Sequence, residues 1–211
     1  MTTEAKVEVI DICPRGLVWE IGQTYAADCF IVPVSFHAID SGWRSYGASA
    51  QAVRVERWTE LREPLVGIQI MAYRPDLPPT GVFESLLGID GVDPVAGPSE
   101  DTIAGRPAVV ADVDTAPDPT YNPVQDTYEC SPVGFSLQWG FDNWPGYPLM
   151  LEDRSGGTNE FGLGACYRFR IWVVELAGSS ITIAAIVFDP DRFDELIGDA
   201  EELLATLAPG G

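Results

Sequence analysis

The last third of the chain leaves the fewest structural choices. Tyr167 to Leu176 and Ser180 to Phe188 are two β-rich runs parted only by Ala177-Gly178-Ser179, which reads as an antiparallel hairpin. Asp189-Pro190 then predicts a helix start, with Asp as N-cap, Pro at the first helical position and acidic residues in the first turn. Phe193, Leu196, Ile197, Ala200, Leu203, Leu204 and Leu207 recur at helical spacing and define one apolar face. Asp194, Glu195, Asp199, Glu201 and Glu202 fill the rest, and Pro209-Gly210 is expected to stop the helix.

Upstream the signals are shorter. Val7 to Ile12 is a first strand. Ala26 to Ser41 is apolar around Phe30, Val32, Val34 and Phe36, but Pro33 makes it an edge strand or extended loop. Val53 to Trp58 alternates with period two, and the apolar run Leu65 to Tyr73 follows it across Glu63-Pro64, predicting a second hairpin. Gly81 to Leu87 reads as a short helix with Val82, Phe83, Leu86 and Leu87 on one face. Ala104-Gly105-Arg106 is a turn before a strand from Pro107 to Asp114. Residues 116–132 hold Pro117, Pro119, Pro123 and Pro132 and form a Pro-rich loop; residues 135–148 form an aromatic loop. The whole of 1–211 is read as one domain, a size that supports a real core.

Charge and rare residues restrict the chemistry. Lys and Arg total 12 against 32 Asp and Glu, a net charge of −20, which argues against nucleic acid and against direct polybasic contact with a membrane. Lys6 is the only lysine, so Schiff-base, Ser-Lys and P-loop chemistry are disfavoured. His37 is the only histidine, which removes multi-His metal sites. No cofactor is expected, nor a metal site, although Asp112, Asp114 and Asp118, or Asp189, Asp191, Asp194 and Glu195, would be the acids to gather calcium. G-x-S-x-G, H-E-x-x-H and EF-hand loops are absent. Arg44, Arg54, Arg57 and Arg62 form the one local basic cluster, and period two sends Arg54 and Arg57 to opposite faces of a strand, so their role is to neutralise nearby carboxylates.

Cys13, Cys29, Cys130 and Cys166 lie far apart without C-x-x-C spacing. Two disulfides are expected. Of the three connectivities, Cys13 with Cys29 and Cys130 with Cys166 closes the shortest loops, each adding roughly 3 to 4 kcal/mol. The alternative is four buried thiols in an acidic cytosolic protein. With disulfides, the protein is expected to be extracytoplasmic, secreted or at the cell surface, and any signal, or any segment tethering it to a membrane, lies outside this chain.

Phe135, Trp139, Phe141, Trp144 and Tyr147, interrupted by Gly140, Pro145, Gly146 and Pro148, are the most distinctive cluster. Trp139, Phe141, Trp144 and Tyr147 are the candidate ligand-binding residues, because rigid aromatics bury much area at low entropic cost; the plainer reading is that they roof the core.

Thr102-Ile103-Ala104-Gly105-Arg106-Pro107-Ala108 leading into Val109 to Val113, the strand-turn-strand-helix of Arg170 to Leu207, Phe30-Ile31-Val32-Pro33-Val34 and Gly42-Trp43 together resemble the PsbP-like fold family. The resemblance spans most of the chain. It implies an α/β (α+β) protein, an α/β/α sandwich with a central, mostly antiparallel sheet and a C-terminal amphipathic helix, as in bacterial lipoprotein-type members. It also implies binding without catalysis, of a protein partner or a cell-envelope ligand. The docking lysines of the photosystem member are missing here. The alternative is a carbohydrate-active hydrolase using paired carboxylates near the aromatic loop.

Overall fold

The computed structural model describes residues 9–13, 16–50, 52–61, 64–72, 76–88, 92–115, 149–150, 162–163, 168–187 and 190–210. Two Ala-Gly pairs organise its longest strands. β8 (Val92–Ile103) returns as β9 (Arg106–Thr115) through Ala104-Gly105, and β12 (Arg168–Leu176) returns as β13 (Ser179–Val187) through Ala177-Gly178. All four turn residues have positive φ, +49° and +74° in the first pair and +52° and +80° in the second. That is the backbone of a type I′ turn, whose twist matches the flanking strands. Gly adopts it freely and alanine does so under strain. Ala177→Asn is therefore expected to stabilise the fold by about 0.5–1 kcal/mol, read as a higher urea midpoint; an unchanged midpoint would mean that the turn does not carry that strain.

The remaining strands are β1 (Val9–Asp11), β2 (Leu17–Val18), β3 (Thr24–Ala27), β4 (Val34–His37), β5 (Trp43–Ala48), β6 (Ala52–Trp58), β7 (Pro64–Met71), β10 (Leu149–Met150), β11 (Gly162–Leu163) and β14 (Ala208–Pro209). The main sheet has eight strands in the order β2-β5-β6-β7-β13-β12-β9-β8, all antiparallel. A smaller sheet runs β1-β3-β4-β14, parallel only between β1 and β3. The architecture is mixed α+β and mostly β, with a central antiparallel sheet.

Alternation along β13 sorts the core into two layers. Ile181, Ile183, Ala185 and Val187 join the cluster built with the C-terminal helix α2 (Phe193–Leu204) and the small sheet. Ala184 and Ile186 join the cluster on the opposite face, with Val82, Phe83 and Leu86 of α1 (Pro79–Leu87). The predicted apolar face of the C-terminal helix is buried throughout, from Phe193 to Leu207.

Three local expectations change. A 3-10 turn at Pro190–Arg192 precedes α2, whose own N-cap is Arg192 without a side-chain cap; Asp189 lies outside the described residues. The helix ends at Leu204, and Pro209 does not terminate it but pairs with Val34 in β14, while the Gly210 N–H donates to the Pro33 carbonyl at 2.7 Å. Pro33 precedes β4 rather than sitting in it, so β4 is an inner strand, between β3 and β14.

Cys13 and Cys29 form a disulfide, with Cα atoms 5.9 Å apart, that ties the end of β1 to the turn after β3. Cys130 and Cys166 lie outside the described residues. Among the described residues no helix is long and apolar enough to cross a membrane.

Candidate functional site

β9 and β12 are neighbours in the sheet, with Asp114 opposite Arg168 and Asp112 opposite Arg170. A tight turn would join such strands. Here their connection takes in residues 116–167, which include both the Pro-rich and the aromatic segments and the small antiparallel pair β10–β11. The chain therefore leaves and re-enters the sheet at a single seam.

The seam is built from charge. Arg168 donates from Nε and Nη2 to the two carboxylate oxygens of Asp114 at 2.9 and 3.2 Å. Arg170 holds Asp112 in the same forked way at 2.7 and 2.8 Å and reaches Glu201 of α2 through Nη1 at 2.7 Å. Both guanidinium carbons sit 5.7 Å from the centre of the Phe193 ring, at the start of α2. Period-two alternation puts Asp112 and Asp114 on one face of β9, and the register supplies an arginine across from each. The hydrogen bond to Asp114 raises the Arg168 pKa, against partial desolvation. The hydrogen bond to Asp112 raises that of Arg170, against desolvation and with help from Glu201. Both stay cationic, so Asp112 and Asp114 serve as ion-pair partners.

Beside the seam lies a cleft of about 180 Å³, lined by Ala96, Gly97, Ser99, Asp101, Val110, Ala111, Asp112 and Arg170. It exists because β8 is irregular. The register passes from Pro94 opposite Val113 to Ala96 opposite Asp112 and then to Ser99 opposite Val110, so β8 carries two bulges. Gly97, at φ +88°, crosses β9 so closely that a Cβ there would meet the Val110 carbonyl oxygen at 2.6 Å. Glycine is required at that point. Asp101 accepts the indole N–H of buried Trp172 on one carboxylate oxygen at 2.9 Å. No periodic pattern marks β8 in the sequence, and its only cue is the punctuation by Pro94, Gly97 and Pro98.

The other sequence candidates are placed as follows. Trp139, Phe141, Trp144 and Tyr147 lie outside the described residues, as do Asp118 and Arg62. His37 is exposed on β4 and shares a 3.3 Å hydrogen bond with the Thr24 hydroxyl. The arginines of β5 and β6 face different ways, as alternation requires: Arg57 pairs with Asp40 and Asp199, Arg54 pairs with Glu56, and Arg44 lies 4.2 Å over the Trp58 ring. Trp43 is core. Among the described residues no group of three or more His, Cys, Asp or Glu side chains is placed to hold a metal ion.

Comparison with family models, with curated proteins and with solved structures finds no match to this chain.

Proposed function

We propose that the protein is a non-catalytic binding domain that acts outside the cytoplasm and captures a protein partner or a cell-envelope ligand through the aromatic segment from Phe135 to Tyr147. One observation carries this reading: adjacent strands β9 and β12 are joined by residues 116–167 where a short turn would serve. Connections of that length in a compact domain are usually either functional loops or flexible linkers, and the paired strands that flank this one support the functional reading. The pairs of Arg170 with Asp112 and with Glu201 of α2 give the segment a rigid base.

Among the described residues, the state of the seam carboxylates supports binding over hydrolysis. A glycosidase needs two carboxyl groups roughly 5 to 9.5 Å apart with one able to shuttle a proton, whereas Asp112, Asp114 and Glu201 are each held by an arginine. The Cys13–Cys29 disulfide supports an oxidising compartment. The order of strands and C-terminal helix that prompts the PsbP-like resemblance supports the same family of binding domains.

Tryptophan fluorescence titrated with soluble muropeptides and N-acetylglucosamine oligomers tests the envelope arm. Trp144→Ala is expected to weaken binding by about 2 kcal/mol, roughly thirtyfold in Kd. A flat titration with every glycan would remove the envelope ligand, and an unchanged Kd in Trp144→Ala would remove the aromatic segment. Shortened oligomers after prolonged incubation would install the hydrolase in its place.

A further inference from the structure

We infer that the cleft between β8 and β9 is a receptor for an alkylammonium group, with Asp101 as its counter-ion. Ala96, Ser99 and Asp101 occupy β8 positions opposite Asp112, Val110 and Ala108, so their side chains share the face of the sheet on which Arg170 and Trp172 lie. Trp172 takes one oxygen of Asp101, an exposed residue that lines the cleft, which fixes the carboxylate and leaves its second oxygen to accept from a ligand. Ser99, two residues earlier on the same strand, also lines the cleft and offers its hydroxyl as a second acceptor.

The charges select the sign of the ligand. Arg170 is engaged through Nε, Nη1 and Nη2 with Asp112 and Glu201, so it offers an anion no open fork. The lining of the cleft holds the carboxylates of Asp101 and Asp112 against that one guanidinium, in a chain of net charge −20. A cation is drawn toward this surface at long range. Shape selects the kind of cation. Ala96 and Val110 give the wall an apolar strip suited to a methylene stem, and about 180 Å³ is room for one unbranched chain ending in an ammonium. The group could arrive as the lysine side chain of a protein partner, which would deepen the binding function proposed above, or as a free alkylamine.

The test is an amide NMR titration of the full chain with n-butylammonium chloride at constant ionic strength. Shifts are expected at residues 96–101 and 110–112. Asp101→Asn keeps an oxygen for the Trp172 N–H and removes the charge, and should weaken binding at least tenfold; Ser99→Ala, at an exposed position, should weaken it about threefold and serves if the first variant is poorly folded. A lysine tripeptide that binds more tightly than butylammonium assigns the site to a protein lysine; equal affinities assign it to free amines. Equal shifts with n-butanol, equal affinity for the Nε-acetylated tripeptide, or shifts that scatter over the acidic surface and persist in Asp101→Asn would overturn the proposal. The readout is at β8 and β9 rather than at tryptophan fluorescence, so this site and the aromatic segment can fail separately.

Discussion

Trp172→Ala is expected to cost about 4 kcal/mol of folding stability. Trp172 is fully buried in β12, opposite Val110 of β9 and Ile183 of β13, and belongs to the core layer that receives α2. Truncation to Ala removes the whole indole from a sheet whose backbone is held on both sides, so the space cannot collapse. A second and smaller effect is that Asp101 loses its 2.9 Å donor. Asp101 is exposed and rehydrates, so this adds little. Trp172→Phe separates the two, keeping most of the ring and losing the N–H, and should cost about 1–2 kcal/mol. Urea unfolding followed by circular dichroism gives both numbers, with the Ala midpoint falling by about 1.5–2 M. A loss below about 1.5 kcal/mol in Trp172→Ala would show that the β9–β12–β13 layer repacks freely, and the rigid base assigned to the 116–167 connection would go with it.

How much of this was legible beforehand depends on how local the physics is. The face of α2 from Phe193 to Leu207 and the hairpin through Ala177-Gly178 follow from period and turn chemistry, which the neighbouring residues contain. The pairing of β7 with β13 does not, because Ile70 opposite Ile183 joins segments more than a hundred residues apart and any apolar strand would satisfy either one alone. β8 is missed for a different reason. It is an exposed edge strand whose prolines and bulges blunt it against further pairing and also erase its alternation. The site divides in the same way. The closeness of Asp112, Asp114 and Asp118 in the chain suggests a ligand set for calcium; alternation along a strand speaks for the plainer reading of Asp112 and Asp114, and only the register with β12 brings Arg170 and Arg168 opposite them as ion-pair partners. The cleft at Asp101 depends on Gly97 passing against Val110, a contact that no property of Gly97's own neighbours reveals.

Arg170→Ala should cost about 2–3 kcal/mol, less than a fully buried pair and more than a surface one. The side chains of Arg170 and Asp112 are 23% and 16% exposed, so the pair is only partly screened, and removing the guanidinium leaves Asp112 half-buried without its forked donor while freeing Glu201 of α2. Arg170→Lys should recover under half of the loss, because a single ammonium cannot reproduce the two parallel bonds to Asp112. Arg168→Ala is the internal control: its pair with Asp114 is 37% and 47% exposed and should contribute below about 1 kcal/mol. Salt separates them, since 0.5 M NaCl is expected to erase most of the Arg168 effect and little of the Arg170 effect. The pH dependence has a definite sign. Because the hydrogen bond to Asp112 raises the folded-state pKa of Arg170 above its ordinary value, the contribution is complete wherever the partner carboxylates are ionised and the pH lies below that ordinary value, and at the alkaline end it is lost only as pH rises beyond it. The difference between wild type and Arg170→Ala should thus be flat from about pH 6 to 10. If Arg170→Ala costs no more than Arg168→Ala, or decays with salt at the same rate, the seam is a pair of surface contacts and does not brace the long connection against α2.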